Sequence, residues 1–329
     1  MEMRRRLSPV SPAVVLFFLA PAIGELLSSS APPVEFFNPP GFIILSVLYG
    51  GGAILARELV FRWGKSWPSL LVLGAAYGIA EEGLMCKSFF DPGWMDVGIL
   101  GEYGRWIGVN WVWSVELTIY HSVFSIVIPI TLVTLLFPDQ RMTSWMGRRG
   151  LITLSVLWFA NAVLIFLFIS KYRPPVPHYA VAAGTIICLG VVANWLPIPA
   201  IPPEAYAKRT PGCARLFALG FTSTMVFFVL AWVLPHTGPH PLIVIAFMVA
   251  LVVVVTRVIW RISARPGFSD RHKLALVWGA LGFFIFIVAP VREWAKDQHD
   301  NPAGMFLVAL VFFLFLVWMW RRTQSHAKT

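Results

Sequence analysis

Two adjacent carboxylates, Glu81 and Glu82, stand inside an apolar stretch that reads Gly74-Ala75-Ala76-Tyr77-Gly78-Ile79-Ala80-Glu81-Glu82-Gly83-Leu84-Met85-Cys86-Lys87-Ser88. The next apolar stretch carries Glu116 and His121, and the one after it carries Asn161. Carboxylate, imidazole and amide are the groups that acid–base hydrolysis uses. A carboxylate withdrawn from bulk water can accept a proton from a water molecule, and an imidazole can orient that water or return a proton to a leaving amine. An amide N–H can stabilise an oxyanion. Glu81, Glu82, His121 and Asn161 are therefore the candidate catalytic residues. Plainer roles compete with this one. A Glu-Glu pair near a membrane edge can snorkel to water, a lone buried His can be structural, and a lone Asn can tie two helices together.

These residues must be positioned by elements that the composition already defines. Of 329 residues, 58% are hydrophobic and only 13% charged, whereas soluble chains are nearer half apolar and a quarter charged. Continuous apolar runs recur at 11–27, 41–61, 68–90, 109–137, 151–169, 178–196, 215–234, 240–260, 273–291 and 303–320. Each approaches the roughly 20 residues that a helix needs to cross a bilayer. Barrel strands would alternate instead, in segments of about ten residues. Proline and glycine clusters such as Asn38-Pro39-Pro40, Arg173-Pro174-Pro175 and Pro197 through Pro203 separate the runs. The expected fold is all-α: a polytopic transmembrane helix bundle of about ten spans, forming one integral membrane domain over 1–329. Within it, 68–169 carries the candidate site and 178–320 supplies apolar helices of unassigned role. No internal repeat relates the first five runs to the last five.

Charge sets the orientation. With the N-terminus inside, 20 of the 26 basic residues fall on cytoplasmic segments, Arg4–Arg6, Arg57, Arg62, Arg141, Arg148, Lys208, Arg265 and Lys328 among them. Six fall outside: Lys87, Arg105, Lys171, Arg173, Arg292 and Lys296. The positive-inside rule therefore places both termini in the cytoplasm. The same distribution explains the net charge of +10 without nucleic acid as a partner. The partner expected is the lipid bilayer, and compact loops suit a prokaryotic plasma membrane. Arg4–Arg6 followed by Val14–Ala20 resembles a signal peptide, but Pro21 and Glu25 within the run favour a retained first helix. Cys86, Cys188 and Cys213 stand alone, without a CxxC or a partner His at ligand spacing, and no HExxH is present. No disulfide, metal or other cofactor is expected from these patterns.

Depth brings the candidates to one level. At 1.5 Å per residue, Glu81 lies roughly 13 Å below an outer helix end near Phe90, His121 roughly 18 Å below Val109 and Asn161 roughly 14 Å below Ser170. Gly74, Gly78 and Gly83 would let a neighbouring helix approach closely. Glu116, one turn nearer the outside, could pair with Lys87 or Arg105, and Arg57-Glu58 reads as an interface anchor. Tyr103, Trp106, Trp111 and Trp113 read as an aromatic belt with an interfacial helix that could wall an entrance. Lys87, Arg105, Trp113 and Glu116 are thus the candidate substrate-binding residues.

Glu81-Glu82 with the basic Lys87, followed by the helix of His121 and then that of Asn161, resembles the CAAX prenyl protease and bacteriocin-processing family of intramembrane proteases. The resemblance covers roughly 68–165. Leu157 occupies the position four before Asn161 where that family carries a second His, and His178 is the nearest further imidazole. The resemblance implies a glutamate-dependent peptidase acting on membrane-embedded or prenylated substrates. Two other classes fit the same residues. One is a proton-coupled transporter that uses the buried Glu and His as a relay; the other is a membrane assembly factor without chemistry.

Overall fold

All ten apolar runs are helical in the computed structural model, which describes residues 10–197, 209–295 and 301–325. The basic residues Arg4–Arg6, Lys208, Lys296 and Lys328 and most of the Pro197–Pro203 break lie outside these. The helices are α1 (Pro12–Leu27), α2 (Pro39–Arg62), α3 (67–85), α4 (Trp111–Leu136), α5 (Arg148–Ile169), α6 (Val176–Trp195), α7 (Cys213–Thr237), α8 (Pro241–Ser263), α9 (Asp270–Trp294) and α10 (Met305–Thr323). Among the described residues eight of these, α2 and α4–α10, are long and apolar enough to cross a membrane. The other two fall short for visible reasons. α1 has too few residues, and Glu81 and Glu82 lower the hydropathy of α3.

The helices sort into an inner and an outer set. In α2, α4 and α9 most of the apolar stretch is buried. α1 belongs with them, since Leu16, Ala20, Ile23 and Leu27 are fully buried. α5, α6 and α8 expose long apolar faces, with Phe159, Phe168, Val181, Ile187, Phe247 and Val254 all more than half exposed. Such faces are stable against lipid and not against water. Tyr120 and Phe124 of α4 pack on Phe228 of α7 and Phe284 of α9, and Phe228 stacks on Phe283, so an aromatic cluster joins the two halves. Glycines set the closest approaches. A Cβ at Gly220 of α7 would lie 2.2 Å from the Leu276 carbonyl oxygen, and one at Gly279 of α9 would lie 2.0 Å from that of Phe217.

The structure departs from the sequence expectation at two places in the connection between α3 and α4. α3 ends at Met85 rather than running to residue 90, because Lys87 adopts a left-handed φ of 64°. Glu81 therefore lies roughly 6 Å from the helix end rather than 13 Å. The turn that follows is pinned by Asn110, whose Nδ2 donates to the carbonyls of Ser88 and Asp91, both at 2.9 Å. The aromatic segment forms no interfacial helix. It is a two-residue hairpin, β1 (Arg105–Trp106) against β2 (Val109–Asn110), turned through Ile107 (φ 52°) and Gly108 (φ 71°). Positive φ at both central residues matches the tight turn that two-residue hairpins favour.

At the opposite end, the chain between α4 and α5 is held from two sides. Arg57 Nη2 donates to the carbonyls of Arg141 and Thr143, and Glu58 accepts from Ser144 Oγ and the Trp145 amide. Arg57 also sits 3.9 Å over the Trp145 ring. Arg141 in turn forms a two-pronged ion pair with Asp270 at the start of α9, at 3.2 and 2.6 Å. The Arg57-Glu58 pair is thus an anchor for a loop.

Candidate functional site

Glu81 and Glu82 follow one another where α3 widens into a π-type turn, with the Cys86 amide bonded to the Glu81 carbonyl five residues back at 2.8 Å. His121 opens a similar wide turn in α4 (His121–Val127), which also holds Ser125. Glu25 lies in the wide turn Ala22–Leu27 of α1, and Tyr49 in Ser46–Gly50 of α2. Every acid or imidazole in the cluster thus comes from a locally expanded turn. Such turns are rare and recur at functional sites, because they re-aim side chains and loosen the backbone ladder.

His121 is the hub. Its Nε2 lies 3.2 Å from Glu82 Oε1, and its Nδ1 lies 3.4 Å from Glu81 Oε2 and 3.0 Å from Ser125 Oγ. Ser88 Oγ, just past the end of α3, donates to Glu82 Oε2 and accepts from Trp113 Nε1 at 3.0 Å. Tyr49 donates to Glu25, and its ring stands 5.9 Å from that of His121. Tyr77 packs against both rings, 6.0 Å from that of His121 and 6.0 Å from that of Tyr49. Its hydroxyl is buried without a hydrogen bond although it lies against Glu81. Glu81, Glu82, Ser88 and His121 are all buried. Gly78 makes room for the imidazole, since a Cβ there would stand 3.0 Å from that of His121.

The structure brings Glu81, Glu82 and His121 together and puts Trp113 behind them through Ser88. It places the remaining candidates elsewhere. Asn161 Nδ2 donates to the Ile44 carbonyl at 3.1 Å, one turn from Trp158, whose Nε1 donates to that of Leu48 at 3.0 Å. Both tie α5 to α2. Lys87 Nζ donates to the carbonyls of Phe166 and Ser170 at the end of α5, at 2.8 and 2.7 Å. Arg105 bonds to Asn110. Glu116 pairs with neither Lys87 nor Arg105. Its Oε1 accepts from Trp232 Nε1 of α7 at 2.6 Å, and its Oε2 is buried without a partner. His178 lies against the Ile107 carbonyl at 2.8 Å. Cys86, Cys188 and Cys213 are free.

Sequence reasoning passed over Glu25, Tyr49, Tyr77, Ser88 and Ser125. Glu25 left a signal, as a lone carboxylate in an apolar run. The others left none, because Tyr and Ser are ordinary in membrane helices. An apolar cavity of about 450 Å³ lies between α3, α4, α7, α8 and α9. Its α4 wall includes Ile119 and Val123, two residues to either side of His121 and so turned away from it.

Comparison with known proteins fixes the family. The profile of the uncharacterized membrane protein family matches residues 14–327. The chain belongs to that family. It is a helical membrane protein with several apolar helices of spanning length. This near-complete match overturns the resemblance to the CAAX prenyl protease and bacteriocin-processing family, and the geometry agrees. Leu157, at the position of that family's second His, points outward with half its surface exposed. Asn161 and Lys87 are taken up by backbone carbonyls. An uncharacterized protein of Archaeoglobus fulgidus is 24% identical over 128 residues, which is 39% of this chain and 39% of that protein. The matched stretch thus spans about two fifths of the curated relative's length. No solved structure matches.

Proposed function

We propose that this protein is a membrane-embedded hydrolase whose reaction centre is Glu81, Glu82 and His121. The observation that carries the reading is the contact of one imidazole with two carboxylates, all buried inside a bundle with lipid-type outer faces. Burying two carboxylates beside one imidazole, with the half-buried Glu25 next to them, is costly, and membrane proteins keep such groups where they act. Lys87, which follows the pair in sequence, does not offset the charge, since its ammonium is engaged by the Phe166 and Ser170 carbonyls.

In this reading Glu82 accepts a proton from the attacking water as the new C–O bond forms at a carbonyl. Ser88 and His121 hold its two oxygens in place. His121 returns the proton to the leaving group as the scissile bond breaks, and Glu81 orients the ring from its other side. The substrate is a membrane-embedded peptide or small molecule with an ester or amide bond. Nucleic acid has no place in this scheme. The chain crosses a prokaryotic cell membrane ten times, with both termini in the cytoplasm.

Glu116 favours a second reading, proton-coupled transport. It is a buried carboxylate with no cation in contact and a hydrogen bond across to α7 in the other half. The two readings separate on reconstitution of the full chain. Glu82→Gln keeps the shape but cannot accept the proton, so hydrolysis of membrane-embedded peptide and ester probes should fall at least 10²-fold. Proton-coupled uptake is measured in the same vesicles, with Glu116→Gln alongside. Undiminished hydrolysis by Glu82→Gln ends the general-base assignment. Uptake that is lost in Glu116→Gln, without any hydrolysis by the wild type, establishes transport instead.

A further inference from the structure

We infer that Glu81, Glu82 and His121 form a binding site for one divalent transition-metal cation. The site shares its residues with the proposed hydrolase but does not rest on hydrolysis. One ligand atom from each residue can be chosen so that all three lie within 4.8 Å of one another. The 3.2 Å between His121 Nε2 and Glu82 Oε1 is an edge that two ligands about 2.0–2.1 Å from a common ion would make.

The groups behind the ligands are those that a metal site requires. Metal-bound imidazoles use the second ring nitrogen to bond an outer partner, which fixes the ring. Here Ser125 Oγ takes Nδ1 at 3.0 Å, with Glu81 Oε2 3.4 Å from the same nitrogen, and Nε2 is left for the ion. Likewise Ser88 holds Glu82 Oε2, and Oε1, which touches His121 Nε2 at 3.2 Å, can turn to the ion. An independent sign is the Tyr77 hydroxyl. It belongs to none of these pairs, its residue is only 6% exposed, and it lies unbonded against Glu81. Glu81 Oε2 is likewise buried without a hydrogen bond. Among the described residues Glu81 Oε2 has only its 3.4 Å contact with His121 Nδ1, and a hydroxyl without a hydrogen bond beside it is unfavourable in a membrane interior. A cation with a bound water would satisfy both: the carboxylate as a ligand and the hydroxyl as a partner of that water. Charge agrees, since the three carboxylates of the cluster meet one imidazole and no Lys or Arg side chain. Two carboxylates with one imidazole suit zinc, manganese, cobalt or ferrous iron, and three protein ligands leave a position open.

The test uses the full chain in detergent, stripped with EDTA and then loaded with cobalt(II) or zinc. Wild-type protein should take up about one equivalent, and the cobalt form should show visible absorption. Glu81→Gln and Glu82→Gln should each retain less than a tenth of that uptake. Ser125→Ala keeps all three ligands and should weaken binding about 10–100-fold without changing the stoichiometry. His178→Ala removes an imidazole outside the cluster and should bind as the wild type does. Wild-type uptake no higher than an EDTA blank overturns the site, even if the variants fail to fold. Equal uptake by Glu82→Gln and wild type overturns it as well. Stoichiometric uptake without hydrolysis of any probe would remove the hydrolase reading and leave the metal site standing.

Discussion

Lys87 shows how much a residue's meaning depends on where its side chain is spent. Its type and place after a Glu-Glu pair suggest substrate binding, yet its ammonium caps the last turn of α5 and stands 4.5 Å over the Phe166 ring. The carbonyls that end a helix lack partners and carry partial negative charge, so a buried cation there is stabilising. Ser170 O also accepts from Arg173 at 2.6 Å. Lys87→Met therefore leaves the Phe166 carbonyl as the main loss, and unfolding in detergent should become easier by about 1–3 kcal/mol. A variant with unchanged stability and a raised KM would restore the substrate-binding role. The candidate site was legible at this scale only in part. Glu81, Glu82 and His121 announce themselves because charge inside an apolar run is costly. Asn161 announced itself equally and proved to be a tie to Ile44, since an amide satisfies a backbone carbonyl as readily as an oxyanion.

Among elements, the glycines of α3 differ in what they permit. A Cβ on Gly74 would stand 2.6 Å from the Ser122 Cα, a backbone atom that cannot swing away, whereas one on Gly83 would meet only ordinary contacts at 3.5 Å. Gly74→Ala should therefore push α3 off α4 and destabilise by about 1–3 kcal/mol. Gly83→Ala should be close to neutral, because the gain in helix propensity of up to about 1 kcal/mol opposes any repacking. Thermal melts of both variants in detergent decide the matter, and equal losses would mean that close approach is not what Gly74 supplies. The helices were legible as long apolar runs, and among the described residues eight of the ten have the length and apolarity that a bilayer dictates. The wide turns were not, as an extra residue per turn leaves no mark on a continuously apolar run. Nor was the hairpin at Arg105–Asn110, where the aromatic residues spoke louder than Gly108.

Considered as a whole molecule, the proposed orientation rests on the basic residues. In a background lacking Cys86, Cys188 and Cys213, cysteines placed at Arg148 and Arg265 should react with impermeant thiol reagents only from the cytoplasmic side. Labelling of either in intact cells would reverse the topology. The loop between α4 and α5 lies at that same end. It is gripped by Arg57 and Glu58 of α2 on one side and by Asp270 of α9 on the other. A body fastened there to both halves is a clasp between them. The far end carries its own fastening, since the Tyr103 hydroxyl donates to the Pro239 carbonyl at 2.7 Å and Trp232 Nε1 to Glu116 at 2.6 Å. The two halves are thus buckled at both ends, with the cluster lying between the buckles.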